Sequence, residues 1–282
     1  MSQVAVVTDS TAYIPKDILA IHKIIVAPQI LIWGDETFRD GVDIQPEEFY
    51  NRLKKASVMP TTSQVTIANF KEIFGQLLDE GKEVLAILIS AKLSGTIDSA
   101  VQAREMFPGA KIEIVDSETT AMAMGFQVLE AAKLAESGAS LAECKALAEK
   151  AKRHVGVVFA VDTLEFLHRG GRIGGGARFL GTALQLKPIL EVTGGRVEPI
   201  ERVRTRSKSL QRLVEIIAER VAGRKPVRLA TLHASAPNEA AQLLEMARSR
   251  LDITEGIMSE VSPVVGTHAG PGTAGLAFMA GM

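Results

Sequence analysis

The sequence predicts an α/β fold of two domains: an N-terminal three-layer parallel α/β domain and a C-terminal α/β domain with a mixed sheet. In the first half, buried apolar runs alternate with amphipathic segments, which is typical of parallel strands separated by helices. In the second half, apolar runs flank Gly194-Gly195, which indicates a hairpin and therefore antiparallel strands. We place the domains at residues 1–155 and 156–282.

The composition is that of an ordinary globular protein. The 282 residues are 46% hydrophobic and 23% charged, so the chain can bury a substantial core, and the net charge of −1 gives no overall attraction to nucleic acid. The single cysteine, Cys144, excludes an internal disulfide and a multi-cysteine metal site, and no metal is expected. It lies in a Ser140-x-x-Glu143 capping box, which favours a structural role. With no secretion signal and no membrane span in the sequence, we expect a cytoplasmic protein.

The first domain begins with an apolar strand, Val4 to Val7, followed by Thr8-Asp9-Ser10-Thr11. Asp9 and Ser10 either line a crevice at the strand end or cap a short helix that begins near Pro15. A pair of apolar strands follows within residues 24–32, and a helix starts near Pro46. The later pattern predicts helices over 67–78, 99–106, 121–136 and 140–154, and strands over 84–89 and 111–115.

Two loops rich in hydroxyl groups precede helices in this domain. Ser94, Gly95 and Thr96 follow a buried strand, and Thr61, Thr62 and Ser63 lie in a loop before the helix at 67. Backbone N–H groups at a helix start favour an anion, the hydroxyls add donors, and Gly95 allows close approach. The alternative is that these hydroxyls only cap their helices.

The second domain opens with a strand over 155–161 and a glycine-dense basic turn over 164–176, followed by the hairpin over 188–200. Helices are predicted over 210–222 and 236–251, with a strand over 227–232 between them. Arg202, Arg204 and Arg206 alternate with other residues, which at strand spacing places them on one face. That face is either solvated or meets an anionic ligand or acidic partner. Nucleic acid is the weaker choice, because no aromatic residues are interleaved.

A glycine-rich segment over 264–275 closes the chain. Gly270, Gly272 and Gly275 have the spacing of a dinucleotide fingerprint, but too little chain follows to build a βαβ unit, so we reject that interpretation. The segment then predicts a turn that fixes His268 beside backbone N–H groups. We favour a functional His268 over a structural one.

Taken in order, several short motifs resemble those of the DegV family, the fatty-acid-binding proteins that serve bacterial fatty acid kinase. The resemblance covers nearly the whole chain. Val65 stands where the family commonly has proline, and Ile97 where tyrosine is common. The matching motifs are Thr8-Asp9-Ser10-Thr11, Asp40-Gly41 with Pro46-Glu47-Glu48-Phe49, Thr62-Ser63-Gln64, Leu93-Ser94-Gly95-Thr96, Val115-Asp116-Ser117, Gly170-Gly171-Arg172-Ile173, and Gly266-Thr267-His268 with Gly270-Pro271-Gly272.

The resemblance implies a long-chain fatty acid, such as palmitate, stearate or oleate, lying in an apolar tunnel between the two domains. Its carboxylate would be bound by the positions Thr62, Ser94, Gly95 and His268. Arg172, Arg202 and Arg204 would lie where a separate, ATP-binding kinase subunit docks and phosphorylates the carboxylate to an acyl-phosphate for phospholipid synthesis. The chain itself would carry no catalytic residue and no cofactor. Transient membrane contact for ligand exchange is expected, and nucleic acid is not.

Two other functions stay open at this level. A hydrolase or transferase could use Ser94 with His268 and either Asp9 or Asp116 as the orienting acid, although Leu93-Ser94-Gly95-Thr96 lacks the G-x-S-x-G elbow. A regulatory binding protein could instead use the arginine-rich strand.

Overall fold

The computed structural model describes residues 3–174 and 186–282 of the chain. Its strands are β1 (Val4–Asp9), β2 (Ile25–Ala27), β3 (Ile30–Trp33), β4 (Glu36–Arg39), β5 (Thr61–Ser63), β6 (Glu83–Leu88), β7 (Ile112–Asp116), β8 (Val155–Ala160), β9 (Lys187–Thr193), β10 (Arg196–Val203), β11 (Val227–His233), β12 (Glu255–Glu260) and β13 (Ala274–Ala280). Its helices are α1 (Lys16–Ile21), α2 (Pro46–Leu53), α3 (Ile67–Asp79), α4 (Thr96–Glu105), α5 (Ala121–Glu136), α6 (Leu141–Ala151), α7 (Glu165–Arg169), α8 (Arg206–Val221), α9 (Pro237–Arg248) and α10 (Pro263–Ala269).

These strands form a four-stranded sheet in the order β2-β1-β6-β7, a six-stranded sheet in the order β10-β9-β8-β13-β11-β12, and a three-stranded sheet in the order β4-β3-β5. All pairs in the first sheet are parallel. In the second sheet β11 and β12 are parallel and the remaining pairs are antiparallel. The predicted α/β class, with one parallel and one mixed sheet, is confirmed. Within the described ranges, no helix is both long and apolar enough to cross a bilayer.

Side-chain alternation along the parallel strands builds the three layers. Leu85 and Ile87 of β6 belong to the core shared with α5, whereas Val84 and Ala86 belong to the core shared with α3 and α4. Successive side chains of a strand point to opposite faces, so an unbroken apolar run such as 84–89 needs a helical layer on each side. The apolar character of these strands therefore follows from burial on both faces.

Helix α5 lies between the two large sheets. It packs against β1 and β6 of the parallel sheet and against β8, β11 and β13 of the mixed sheet. Residues Ala121 to Leu129 are all buried, and one hydrophobic core extends through α5 from Val6 on one side to Met279 on the other. A helix that is apolar all round must be buried all round, which explains its Ala- and Met-rich sequence. The boundary at 155/156 stays a prediction, since the core continues across it.

Several predictions of secondary structure were wrong, because the structure of these segments depends on contacts with residues distant in sequence. The loop containing Thr62 is strand β5, which pairs with β3, and helix α4 begins at Thr96 rather than at residue 99. The basic turn over 164–176 contains helix α7, while Gly175 and Gly176 lie outside the described residues. The glycine-rich end contains α10 and β13, and β13 is an inner strand of the mixed sheet. Strand β12 was not predicted.

We predict opposite effects for one substitution at two helical glycines. A Cβ added at Gly125 of α5 would lie 2.8 Å from Met122 Sδ and 2.9 Å from the Ala12 carbonyl oxygen. Overpacking of this kind lowers the free energy of unfolding by about 1–3 kcal/mol. At Gly75 of α3 the added Cβ would lie 3.5 Å from Phe107, an ordinary contact. Gly75→Ala should therefore raise the free energy of unfolding by about 0.5–1 kcal/mol.

Urea unfolding of the two variants measures this difference. A Gly125→Ala protein at least as stable as the Gly75→Ala protein would contradict the tight packing of α5 between the sheets.

Candidate ligand-binding site

A cavity of about 160 Å³ lies between the parallel and mixed sheets, beyond the N-terminal end of α5. A single buried water needs roughly 10–15 Å³, so this space is far larger than a hydration site. Most of its wall is apolar and mainly aliphatic, and the rest carries hydroxyl, amide and basic side chains, which suits an elongated apolar ligand with a polar end. Apolar lining residues include Ile89, Val157, Phe159, Val192, Leu232 and Val261.

Four of the predicted site residues line this cavity: Thr62, Ser94, Arg172 and His268. We call these four residues the polar cluster. They come from strand β5, from the loop before α4, from the segment after α7 and from the last turn of α10. The structure therefore brings together residues from both halves of the sequence. Their role in binding stays a prediction.

Thr62 and His268 are joined directly. Thr62 Oγ1 lies 2.8 Å from His268 Nε2. Pairing of Thr62 with Leu31 of β3 holds the threonine at this position. His268 approaches from α10, whose short helix packs against β5, α2 and α7. The hydrogen bond thus links the three-stranded sheet of the N-terminal half to the C-terminal half.

His268 is neutral at physiological pH. Burial, with a contribution from the charge of Arg172, lowers the pKa of His268 to about 4. Its Nδ1 atom is buried and has no hydrogen-bond partner among the described residues. An unpaired buried N–H is rarer than an unpaired acceptor, so we assign the proton to Nε2, which then donates to Thr62. The hydroxyl proton of Thr62 is therefore available to a ligand.

Close packing fixes the imidazole ring. A Cβ added at Gly170 would collide with His268 Nδ1, so only glycine allows the ring to lie against this backbone. Gly170 also accepts a hydrogen bond from Arg172 Nη1 at 2.6 Å. Arg172 Nε donates to the carbonyl oxygen of Leu93 at 3.2 Å. The guanidinium group therefore joins the end of α7 to the loop that carries Ser94.

Ser94 is bound to the first residue of α4. Its Oγ lies 2.9 Å from Thr96 Oγ1 and accepts a hydrogen bond from Thr96 N at 3.3 Å. The hydroxyl therefore satisfies one donor at the helix start while still lining the cavity. Gly95 packs against Gln64, whose Nε2 would lie 3.1 Å from an added Cβ. Gly95 thus allows close packing of the two loops and is not itself a wall of the cavity.

The prediction that Arg202, Arg204 and Arg206 lie on one face of a strand was wrong. Strand β10 ends at Val203, and Thr205 caps helix α8 by accepting a hydrogen bond from Lys208 N. Arg204 is exposed beyond the strand, and Arg206, in the first turn of α8, forms an ion pair with Glu239. Since strand spacing stops at Val203, the three arginines do not form one face. Arg202 and Arg204 do not line the cavity.

Sequence reasoning missed Gln29, a polar residue of this site. Gln29 lines the cavity, and its Nε2 donates to Thr96 Oγ1 at 2.9 Å. Gln29 is only 2% exposed and Thr96 is fully buried. The sequence feature that could have identified Gln29 is its position as a single amide inside the apolar stretch over 24–32, directly after Pro28. Buried polar side chains need partners, so a glutamine in a buried strand region predicts a specific hydrogen bond.

Known proteins similar to this chain match it from end to end. A model of the family described as uncharacterised protein, DegV family, matches residues 3–281. A DegV domain-containing protein of Streptomyces coelicolor is 40% identical over 275 residues, which cover 97% of either chain. Protein DegV of Bacillus subtilis is 36% identical over 277 residues, 98% of either chain.

Solved structures agree with this relationship. A DegV family protein from Thermus thermophilus, described for its fatty acid binding, matches with a TM-score of 0.93 at 36% identity and covers 99% of this chain and 100% of its own. Bacillus subtilis DegV, described as a fatty acid binding protein, matches with a TM-score of 0.89 at 34% identity, with coverage of 99% and 100%.

The pKa of His268 predicts a loss of stability in acid. The unfolded chain protonates this residue near pH 6.5, whereas the folded chain does so only near 4. Between these values the unfolded state binds the extra proton, so the free energy of unfolding falls as the pH is lowered. From pH 7 to 5 the loss through His268 is about 2 kcal/mol. The His268→Gln protein should lose about 2 kcal/mol less than the wild type over this range.

Asp40 supplies a control, because its protonation changes the free energy of unfolding in the opposite direction on acidification. Burial raises the pKa of Asp40 to about 6, so the folded state takes up its proton first on acidification and is stabilised. Asp40→Asn should therefore steepen the acid loss by about 1 kcal/mol, measured by urea unfolding at pH 7 and 5. If the two variants change the slope in the same direction, these assignments are wrong.

Proposed function

This chain belongs to the DegV family, and we propose that it binds a long-chain fatty acid and presents the carboxylate to a partner kinase. The observation that carries the proposal is one apolar cavity whose polar lining includes two hydroxyl donors, a neutral histidine and an arginine. The fatty acid binding described for the relatives from Thermus thermophilus and Bacillus subtilis supports it.

The energetics favour such a ligand. Burial of ~14 methylene groups at ~0.8 kcal/mol each yields roughly 11 kcal/mol before the costs of ordering. A carboxylate that leaves water needs donors in return, and a charge-assisted hydrogen bond contributes about 1.5–3 kcal/mol. In our proposal Ser94 and Thr62 donate to the carboxylate, while His268 and Gly95 act through the packing and hydrogen bonds of these two loops.

Access from outside supports presentation to a second protein. A neighbouring groove, whose lining includes the exposed residues Met59 and Arg169, shares Thr62, Arg172 and His268 with the cavity. Thr62, Arg172 and His268 therefore lie between the cavity and exposed side chains that a partner can reach. We propose that an ATP-binding kinase subunit docks on this groove, with Arg172 near the transferred phosphoryl group. Arg202 and Arg204 line neither space, and their part in docking stays a prediction.

Neutral donors suit a carboxylate that must react. Hydroxyl groups stabilise the anion while leaving it nucleophilic, whereas a buried arginine pair would hold it more tightly. Acyl-phosphate formation would then take place on the partner and supply phospholipid synthesis. Loading and release of the fatty acid would require transient contact with a membrane.

The geometry favours this carrier over a hydrolase. A serine nucleophile needs a base that is itself oriented by a third group. His268 Nε2 bonds Thr62 rather than Ser94, and in the described part of the chain Nδ1 has no acid to orient it. Asp9 accepts from Thr11 and Ile89 instead.

Lipid extraction tests the proposal. The purified protein, denatured and extracted, should yield a long-chain fatty acid by mass spectrometry, and the delipidated protein should bind added oleate or palmitate. Absence of both the extracted lipid and the binding of added acid would refute the proposed function.

Substitution of the hydroxyls tests the proposed head-group contacts. Ser94→Ala and Thr62→Val each remove one charge-assisted hydrogen bond, so the affinity for oleate should fall at least about tenfold. Ser207→Ala, at an exposed position of α8, is the matched control and should bind as the wild type does. Unchanged oleate affinity in both cavity variants would contradict the assignment of Ser94 and Thr62.

A further inference from the structure

Asp9 is a buried carboxylate placed behind the cavity. Its side chain is fully buried at the end of β1 and accepts hydrogen bonds from Ile89 N at 2.8 Å, from Thr11 N at 3.0 Å and from Thr11 Oγ1 at 2.6 Å. Burial raises the pKa of Asp9, and these donors together with the side chain of Gln29 counteract that effect. Thr11, Ile89 and Gln29 thus all act as donors to this carboxylate.

Gln29 connects Asp9 to the helix start at α4. Its backbone is fixed on both sides, since Asp40 N donates to its carbonyl oxygen at 2.9 Å and its own N donates to Ser10 Oγ at 3.1 Å. Because both oxygens of Asp9 already accept hydrogen bonds from Thr11 and Ile89, we assign the NH₂ of Gln29 to the side that faces Asp9. The same Nε2 lies 2.9 Å from Thr96 Oγ1, so Gln29 donates to Thr96 as well.

The direction of the next hydrogen bond follows. Thr96 is fully buried, and Ser94 Oγ, 2.9 Å away, is the one acceptor that its hydroxyl proton has among the contacts of the described residues, so we assign Thr96 as the donor. Ser94 Oγ also accepts from Thr96 N at 3.3 Å. With both acceptor positions of Ser94 engaged, its own proton has no other destination among these contacts than the cavity that Ser94 lines.

We propose that Gln29, anchored on Asp9, is a positioning residue that directs the Ser94 hydroxyl proton into the cavity and so selects a ligand head group that accepts hydrogen bonds. This inference rests on the proposed fatty acid binding and deepens it. The chain Asp9–Gln29–Thr96–Ser94 orients the Ser94 hydroxyl as a donor before any ligand binds, which avoids the cost of reorienting this hydroxyl on binding.

The variant Gln29→Glu should reverse the donor direction of the hydrogen bonds from residue 29 through Thr96 to Ser94, with almost no change in side-chain shape. Two adjacent buried carboxyl groups do not both ionise, so one proton is shared between Asp9 and the new glutamate. The remaining glutamate oxygen accepts from Thr96, Thr96 then accepts from Ser94, and lone pairs of Ser94 face the cavity. A carboxylate is repelled by this arrangement, whereas an alcohol, which can donate, is still bound.

The experiment compares radiolabelled oleate and oleyl alcohol on delipidated protein. We expect Gln29→Glu to weaken oleate binding at least about tenfold while oleyl alcohol changes by less than about threefold. Unchanged oleate affinity, or parallel weakening of both ligands, would overturn the positioning role, the latter by showing a general structural defect. A wild-type protein that binds neither ligand would instead refute the proposed function.

A second pair of variants keeps the test decisive if Gln29→Glu does not fold. Thr96→Val removes the hydroxyl that links Gln29 to Ser94 at nearly constant volume, and it should lower the ratio of oleate to oleyl alcohol affinity at least about threefold. Thr96→Ser restores the hydroxyl and should restore the wild-type ratio. Equal ratios for the valine and serine variants would refute the hydrogen-bond chain.

Discussion

The burial of helix α5 between two sheets is the constraint on which the rest of the structure depends. Because α5 packs on the parallel sheet with one side and on the mixed sheet with the other, the sheets are held a helix diameter apart. The helix begins at Ala121, and the cavity lies beyond that point, with Thr120 and Ala121 in its wall. The cavity is thus the part of the inter-sheet space that the helix does not fill.

Two hydrogen-bond chains end at this space. One ends at Thr62 and is directed by His268 of α10, and the other ends at Ser94 and is directed by Gln29 through Thr96. Each ends in a hydroxyl whose proton is available to the cavity. Since one chain requires residues of the C-terminal half and the other lies within the N-terminal half, a ligand held by both contributes to the association of the two halves.

The sequence allowed prediction of those elements whose periodicity is local. Runs such as 84–89 and 121–136 carry their own burial pattern, and the Ser140 capping box forms as expected. Strand β5 and helix α10 could not be assigned, because β5 depends on pairing with β3 and α10 on packing against β5. Thr62, Ser94 and His268 were recognised individually, whereas Gln29 acts only through residues 67 positions away.

The polar groups around the cavity are kept at a cost to stability. Asp9 is a buried acid whose burial raises its pKa, and His268 Nδ1 has no partner within the described ranges. Packing the same positions with apolar side chains would remove these desolvation penalties. Under the proposed function, an anion with a long apolar chain that fills the space offsets this loss, because a ligand that binds only the folded state stabilises it. In the carrier that we propose, the arrangement is therefore most favourable when the ligand is bound.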